Sequence, residues 1–263
     1  MPLLIEKTCK KFANGRVFLL KTKDGFPIET TDTFLPYYTK FCVNEHTNEL
    51  KSGDVGSRKE RFMIGVSVMS GCPVHCKFCA TGKMKKWRNL TSLEIFEQIY
   101  FVLSRNPDID PTRSKEFKIN YTRMGEPFLN LEAVKETIKA ISVVVPNVHN
   151  YVSTIGLRNS DFSWIEGNTT LQISLHSTNE KSRKELIPIS NLMTIEELGQ
   201  IRTKSNLKTT INMTLVDEND FDIEVLKKYF DPKYFFIKIS PLNKNCISDK
   251  NELEGIIKIE NLI

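Results

Sequence analysis

The chain has 263 residues, 40% hydrophobic and 26% charged, the size and balance of an ordinary globular protein with a substantial core. Its formal charge of +5, from 37 basic against 32 acidic side chains, is too small an excess to indicate nucleic-acid binding by itself. No apolar run approaches the roughly 20 residues of a membrane span, and the opening MPLLIEKTCKK is too short an apolar stretch for a secretory signal. The expectation is a cytoplasmic protein with no membrane partner.

In chain order, RVFLLKTKDGFPIETTDTF alternates around Asp24-Gly25, a hairpin signal, and continues extended to about Pro36. Residues 1–60 read as an N-terminal β-hairpin extension, a small appendage placed to cap the rest. From Arg61 onward the pattern alternates. Strands are expected at RFMIGVSVM from Arg61, FKINYT from Phe117, NYVST from Asn150, LQISL from Leu171, TTINMTLV from Thr209 and YFFIKIS from Tyr234. Between them lie helical segments: TSLEIFEQIYFVLSR with a capping box at Thr91 and Glu94, NLEAVKETIKAISVV with Asn130 as N-cap, and TIEELGQIRTKS with Thr194 and Glu197. Shorter helices follow Asn179 and span about Asp222 to Tyr229.

Strands separated by helices make parallel βαβ units. The fold class is therefore α/β, with residues 61–263 forming either a partial (β/α)6 TIM-like barrel or an open doubly wound sheet. Both place ligands at the carboxyl ends of the strands. The first of those strands runs directly into GCPVHCKFCATG, Gly71 to Gly82.

That loop holds Cys72, Cys76 and Cys79, half of the chain's six cysteines. Thiolates at C-x3-C-x2-C suit an iron–sulfur cluster but fall one short of its usual four ligands, which leaves one iron open. A zinc site is the alternative and would draw on His75, although no second knuckle supports it. Cys9, Cys42 and Cys246 lie apart and read as free thiols.

With these motifs in view, the sequence resembles the radical S-adenosylmethionine (SAM) superfamily, and within it the radical-SAM rRNA/tRNA adenine methyltransferases. The resemblance rests on the cysteine loop with RNLT to Thr91, MGEPFLN from Met124, VST from Val152, ISLHSTNEKSRKELIPI from Ile173 and PLN from Pro241, in family order. It implies the partial barrel, a 4Fe-4S cluster on Cys72, Cys76 and Cys79, and SAM chelated by the open iron. Gly125 and Glu126 match the motif that receives the SAM amino group. Ser153, Ser174, His176 and Asn243 match contacts to its ribose, carboxylate or adenine, and Phe78 a backbone approach to the adenine. Without the resemblance, Glu126 reads as a solvent-facing loop acid and His176 as a partly buried, satisfied histidine.

The activity implied is reductive SAM cleavage to a 5'-deoxyadenosyl radical that abstracts hydrogen from a small or nucleotide-like substrate, fed by an external flavodoxin- or ferredoxin-type electron donor. Two alternatives stand beside it: an RNA-modifying enzyme, and a non-catalytic iron–sulfur or zinc module. Methylation through cysteine carriers is not expected. The family's cysteine seven residues before the cluster is Gly65 here, and a glycine cannot be a nucleophile; its C-terminal carrier cysteine has no counterpart. Arg123 replaces a small residue and is a candidate for binding a substrate phosphate or carboxylate. KMKKWR, Lys83 to Arg88, reads as a solvated face or as a strand-following nucleic-acid contact with Trp87 stacking.

Overall fold

The computed structural model describes residues 3–12, 15–33, 42–43, 50–51, 57–214, 216, 220–240 and 242. The chain divides into two compact units, residues 1–71 with 86–152 and residues 72–85 with 153–263.

In the first unit, Leu4–Phe12, Gly15–Thr22 and Pro27–Thr33 form an antiparallel meander. The turn between the last two is at Asp24-Gly25, where the sequence puts it, and Gly25 has φ +95°, a conformation that glycine adopts without a side-chain penalty. The strand Leu4–Phe12 has no counterpart in the sequence reading, because its buried and exposed residues do not alternate cleanly and most are exposed. The meander does not lie over the parallel strands. It extends their sheet, with Thr31 opposite Gly65 and Thr33 opposite Met63 in the strand Arg61–Val66.

Glu116–Tyr121 then pairs parallel to Arg61–Val66, and His149–Thr154 parallel to Glu116–Tyr121. Phe62, Ile64, Val66, Phe117 and Ile119 are almost wholly buried, each burial worth about 1.5–3 kcal/mol. The expected continuation to Pro36 lies outside the described residues.

Helix α1 (Ser92–Ser104) starts at the capping box read from the sequence: the Thr91 hydroxyl accepts from Glu94 N–H while the Glu94 carboxylate accepts from Thr91 N–H. It buries Ile95, Gln98, Ile99 and Val102, and the Gln98 amide bonds both the N–H and the carbonyl of Ser67 at 2.8 and 2.9 Å. That pair fixes the chain where it leaves the Arg61–Val66 strand. Helix α2 (Leu131–Val144) packs against α1. Asn130 precedes it as expected but makes no side-chain cap. Its amide instead donates to the Val68 and Leu90 carbonyls at 2.7 and 2.8 Å, tying the strand exit to the entry of α1.

The second unit carries the parallel strands Thr169–Ser174, Thr209–Thr214 and Phe235–Ser240. Its helices are α3 (Glu180–Leu186), α4 (Ile195–Gly199) and α5 (Ile223–Tyr229). All six expected core strands and all five helices are present. Helix α4 is shorter than TIEELGQIRTKS suggests: its capping box forms, but it ends at Gly199, where any side chain would run into the Tyr229 carbonyl of α5. Among the described residues no helix is long and apolar enough to cross a membrane.

Candidate cofactor site

The cysteine loop lies in the second unit. Cys72 is buried, Cys76 and Cys79 are half-buried, and none of the three is in a disulfide, nor is Cys9. The side chain of Cys42 and all of Cys246 lie outside the described residues. The loop is held by its own backbone: Cys79 N–H donates to Cys76 O, and Gly82 N–H to Cys79 O. His75 has φ +56°, and its Nδ1 lies 2.7 Å from Gly82 O. A carbonyl can only accept, so Nδ1 carries the proton there. Gly82 eases this closure, since a Cβ would stand 3.0 Å from His75 Cα. Lys77 N–H, between the second and third thiols, donates to Leu186 O at the end of α3.

The donor set fits an iron–sulfur cluster. Three soft thiolates sit on one short loop, none of them spent in a disulfide. Among the described residues no three His, Cys, Asp or Glu side chains converge on a single-ion site.

Next to the loop, the Phe78 ring meets the His176 ring edge-on, centroids 4.7 Å apart at 74°. His176 follows the strand Thr169–Ser174 with φ +61° and is 7% exposed. Its Nδ1 accepts from Thr214 N–H at 3.1 Å, which puts the ring proton on Nε2. Burial, helped by the charge of Arg183, pushes its pKa down to about 4. The ring is therefore neutral near pH 7 and offers one N–H donor. Ser153 and Ser174 end neighbouring segments with hydroxyl oxygens 3.5 Å apart. Asn243 lies outside the described residues.

Nothing in the sequence marks Arg183 as special beyond its place in a motif, yet it is completely buried. Its guanidinium donates to the Met193 and Ile155 carbonyls, and burial lowers its pKa to about 10. An arginine on a seven-residue helix reads as solvated; only the two returning loops turn it inward.

Gly125 and Glu126 belong to the first unit. Gly125 has φ +99°, and a Cβ there would meet Met69 Cγ at 2.5 Å and Met69 N at 2.9 Å. The glycine thus answers two local demands before any ligand is considered. Glu126 is not the solvent-facing acid that the bare sequence suggests. It is 4% exposed, and its Oε1 accepts from Phe128 N–H at 3.1 Å.

Arg123 is half-buried and donates to Glu29 Oε2 at 2.7 Å, so the candidate anion binder already has a carboxylate partner. Of KMKKWR, Lys83, Lys85, Lys86 and Trp87 are exposed. Arg88 is drawn in by Glu94 and Asp24, each at 2.7 Å.

A family model described as the radical SAM superfamily matches residues 66–230. The chain is 30% identical over 235 residues to a protein of Chlorobium phaeobacteroides (strain BS1) named "Probable dual-specificity RNA methyltransferase RlmN", covering 84% of this chain and 64% of that protein. A protein of the same name from Dictyoglomus turgidum is 31% identical over 244 residues, 88% of this chain and 63% of its own length. The chain therefore spans a little over three fifths of these curated relatives. The crystal structure of a radical SAM methyltransferase from Sphaerobacter thermophilus superposes with a TM-score of 0.66 at 24% identity, over 93% of this chain and 68% of that one. At that identity it speaks to the fold, which the two share.

Proposed function

We propose a reading whose premise is that the chain belongs to the radical SAM superfamily. That superfamily uses a 4Fe-4S cluster and SAM, and this chain is an enzyme of it. When bound, cluster and SAM together supply a one-electron reductive cleavage that yields methionine and a 5'-deoxyadenosyl radical, chemistry that belongs to the cofactors rather than to the protein. In this reading Cys72, Cys76 and Cys79 hold the cluster. Gly125 and Glu126 take the SAM amino group; Ser153, Ser174, His176 and Asn243 take its ribose, carboxylate or adenine; and the Phe78 backbone lies at the adenine.

The physical state of the residues supports those roles. A carboxylate as buried as Glu126 gains most from an ammonium partner. A neutral His176 donates from Nε2 without adding charge beside a sulfonium. The Phe78–His176 contact sets the loop that carries the thiols against the strand end that carries the donor.

The reaction proposed is hydrogen abstraction from a small or nucleotide-like substrate, with electrons from a flavodoxin- or ferredoxin-type donor in the cytoplasm. The single observation that carries the reading is three cysteines on one braced loop, none in a disulfide, with Phe78 of that loop packed on His176. A second reading keeps RNA as the substrate, favoured by the names of the relatives; exposed Lys85, Lys86 and Trp87 suit it. Both readings leave out a thiol relay, because position 65 is glycine. Anaerobically reconstituted protein given dithionite and SAM is expected to release 5'-deoxyadenosine. Full iron loading without SAM cleavage would defeat the enzyme reading, and the absence of RNA retention at low salt would defeat the second.

A further inference from the structure

The environment of Gly65 is tighter than a missing side chain requires. A Cβ built there would lie 2.5 Å from Thr31 Oγ1, 3.0 Å from Arg123 Cδ and 3.1 Å from Arg123 Cγ. Thr31 Oγ1 is thus the nearest obstruction, and the arm of Arg123 closes the other side of the volume in which a side chain at 65 would stand. The arm is tethered at its head by the bond to Glu29. Glu29 in turn is placed by its own strand, whose carbonyl at Glu29 accepts from Ser67 Oγ at 2.6 Å. Gly65 itself is fixed by Thr30 Oγ1, which donates to its carbonyl at 2.8 Å. All of these residues belong to the first unit, and they sit at the carboxyl end of its parallel strands, the edge where such sheets hold ligands.

We propose that Gly65, Thr31, Arg123 and Glu29 form one specificity-determining device: Thr31 and the tethered arginine together block position 65 and commit this strand end to chemistry without a protein thiol. The Arg123 side chain is 34% exposed as a whole while its Nε is buried and lacks a hydrogen-bond partner, and it stands where a thiol would otherwise be presented. An ordinary surface ion pair would contribute little and could be removed without consequence at position 65. A blocking arm makes a different demand, because the consequences of changing 65 and 123 cannot be independent. The inference deepens the exclusion of a thiol relay stated above, but it stands on packing and needs neither cluster nor SAM for its test.

The test uses the full chain with Thr31→Ala throughout, so that only the arginine borders the position. In that background Gly65→Cys is compared with and without Arg123→Ala, and with Glu29→Gln. Alkylation of the thiol introduced at position 65 by iodoacetamide is followed by peptide mass spectrometry, and the thermal midpoint is recorded for each protein. Removing the arm is expected to speed alkylation at that position at least about tenfold by opening access, and to recover part of the midpoint lost to Gly65→Cys. Releasing the tether with Glu29→Gln is expected to give an intermediate rate. If Gly65→Cys does not fold, Gly65→Ala places a methyl against the same atoms, and its midpoint with and without Arg123→Ala gives the same coupling. Equal alkylation rates with additive midpoints would overturn the proposal and leave the SAM reading untouched.

Discussion

Gly125→Ala separates what the fold asks of that glycine from what SAM would ask of it. The position has φ +99°, where a residue with a Cβ loses roughly 1–2 kcal/mol. The added methyl would also enter Met69, 2.5 Å from Cγ and 2.9 Å from the backbone N; forced packing of that kind costs roughly 1–3 kcal/mol. The sum is about 2–5 kcal/mol. At about 2–4 °C per kcal/mol for a chain of this size, the thermal midpoint should fall by about 4–20 °C in protein carrying neither cluster nor SAM. Circular dichroism melts of the two proteins measure it. Trimming Met69 to Ala removes the Cγ contact but keeps Cβ at 2.6 Å and the backbone N at 2.9 Å, so it should relieve only part of the packing share, and the double variant should lose somewhat less than the sum of the singles. A Gly125→Ala protein melting within about 1 °C of the parent would refute the argument that local geometry, and not ligand approach alone, requires glycine here.

Asn130→Asp should be at least as damaging as Asn130→Ala, about 1–3 kcal/mol in urea denaturation, because the amide donates to two buried carbonyls that a carboxylate would repel; a capping role would make the Asp variant neutral. Thr91→Ala should cost about 1 kcal/mol through loss of the α1 capping box, seen as a lower urea midpoint. The folded pKa of His176, about 4, lies below the unfolded value of about 6.5. The unfolded chain therefore binds the proton first as pH falls. Stability should be intact above pH 6.5 and decline toward pH 4 by up to about 3 kcal/mol. His176→Asn, which tolerates positive φ, should flatten that decline; an unchanged pH slope would show that the ring titrates normally.

The core strands and helices were legible because their signals are local: β-branched runs, Asp-Gly turns, and Thr-x-x-Glu caps at Thr91 and Thr194. The cysteine loop was legible for a related reason, since ligand spacing is itself a sequence property. What stayed hidden depends on partners distant in the chain. Asn130 has the composition and position of a cap, but two carbonyls from other segments claim its amide. Arg183 and Glu126 look solvated by residue type, yet both are buried, Arg183 because the Met193 and Ile155 carbonyls of two returning segments accept from it. Arg123 reads as an unpaired strand-end cation until Glu29, 94 residues earlier, is brought to it. The edge strand Leu4–Phe12 escaped because its exposed residues give no clean alternation.

The central claim is that three cysteines hold a cluster with one iron left for SAM. Mössbauer spectroscopy of anaerobically reconstituted protein, recorded before and after SAM is added, tests it most directly. The account predicts that a single iron subsite changes its signature on SAM addition while the others keep theirs. A spectrum indifferent to SAM with every iron thiolate-bound, or a preparation that takes up zinc in place of iron, would contradict it.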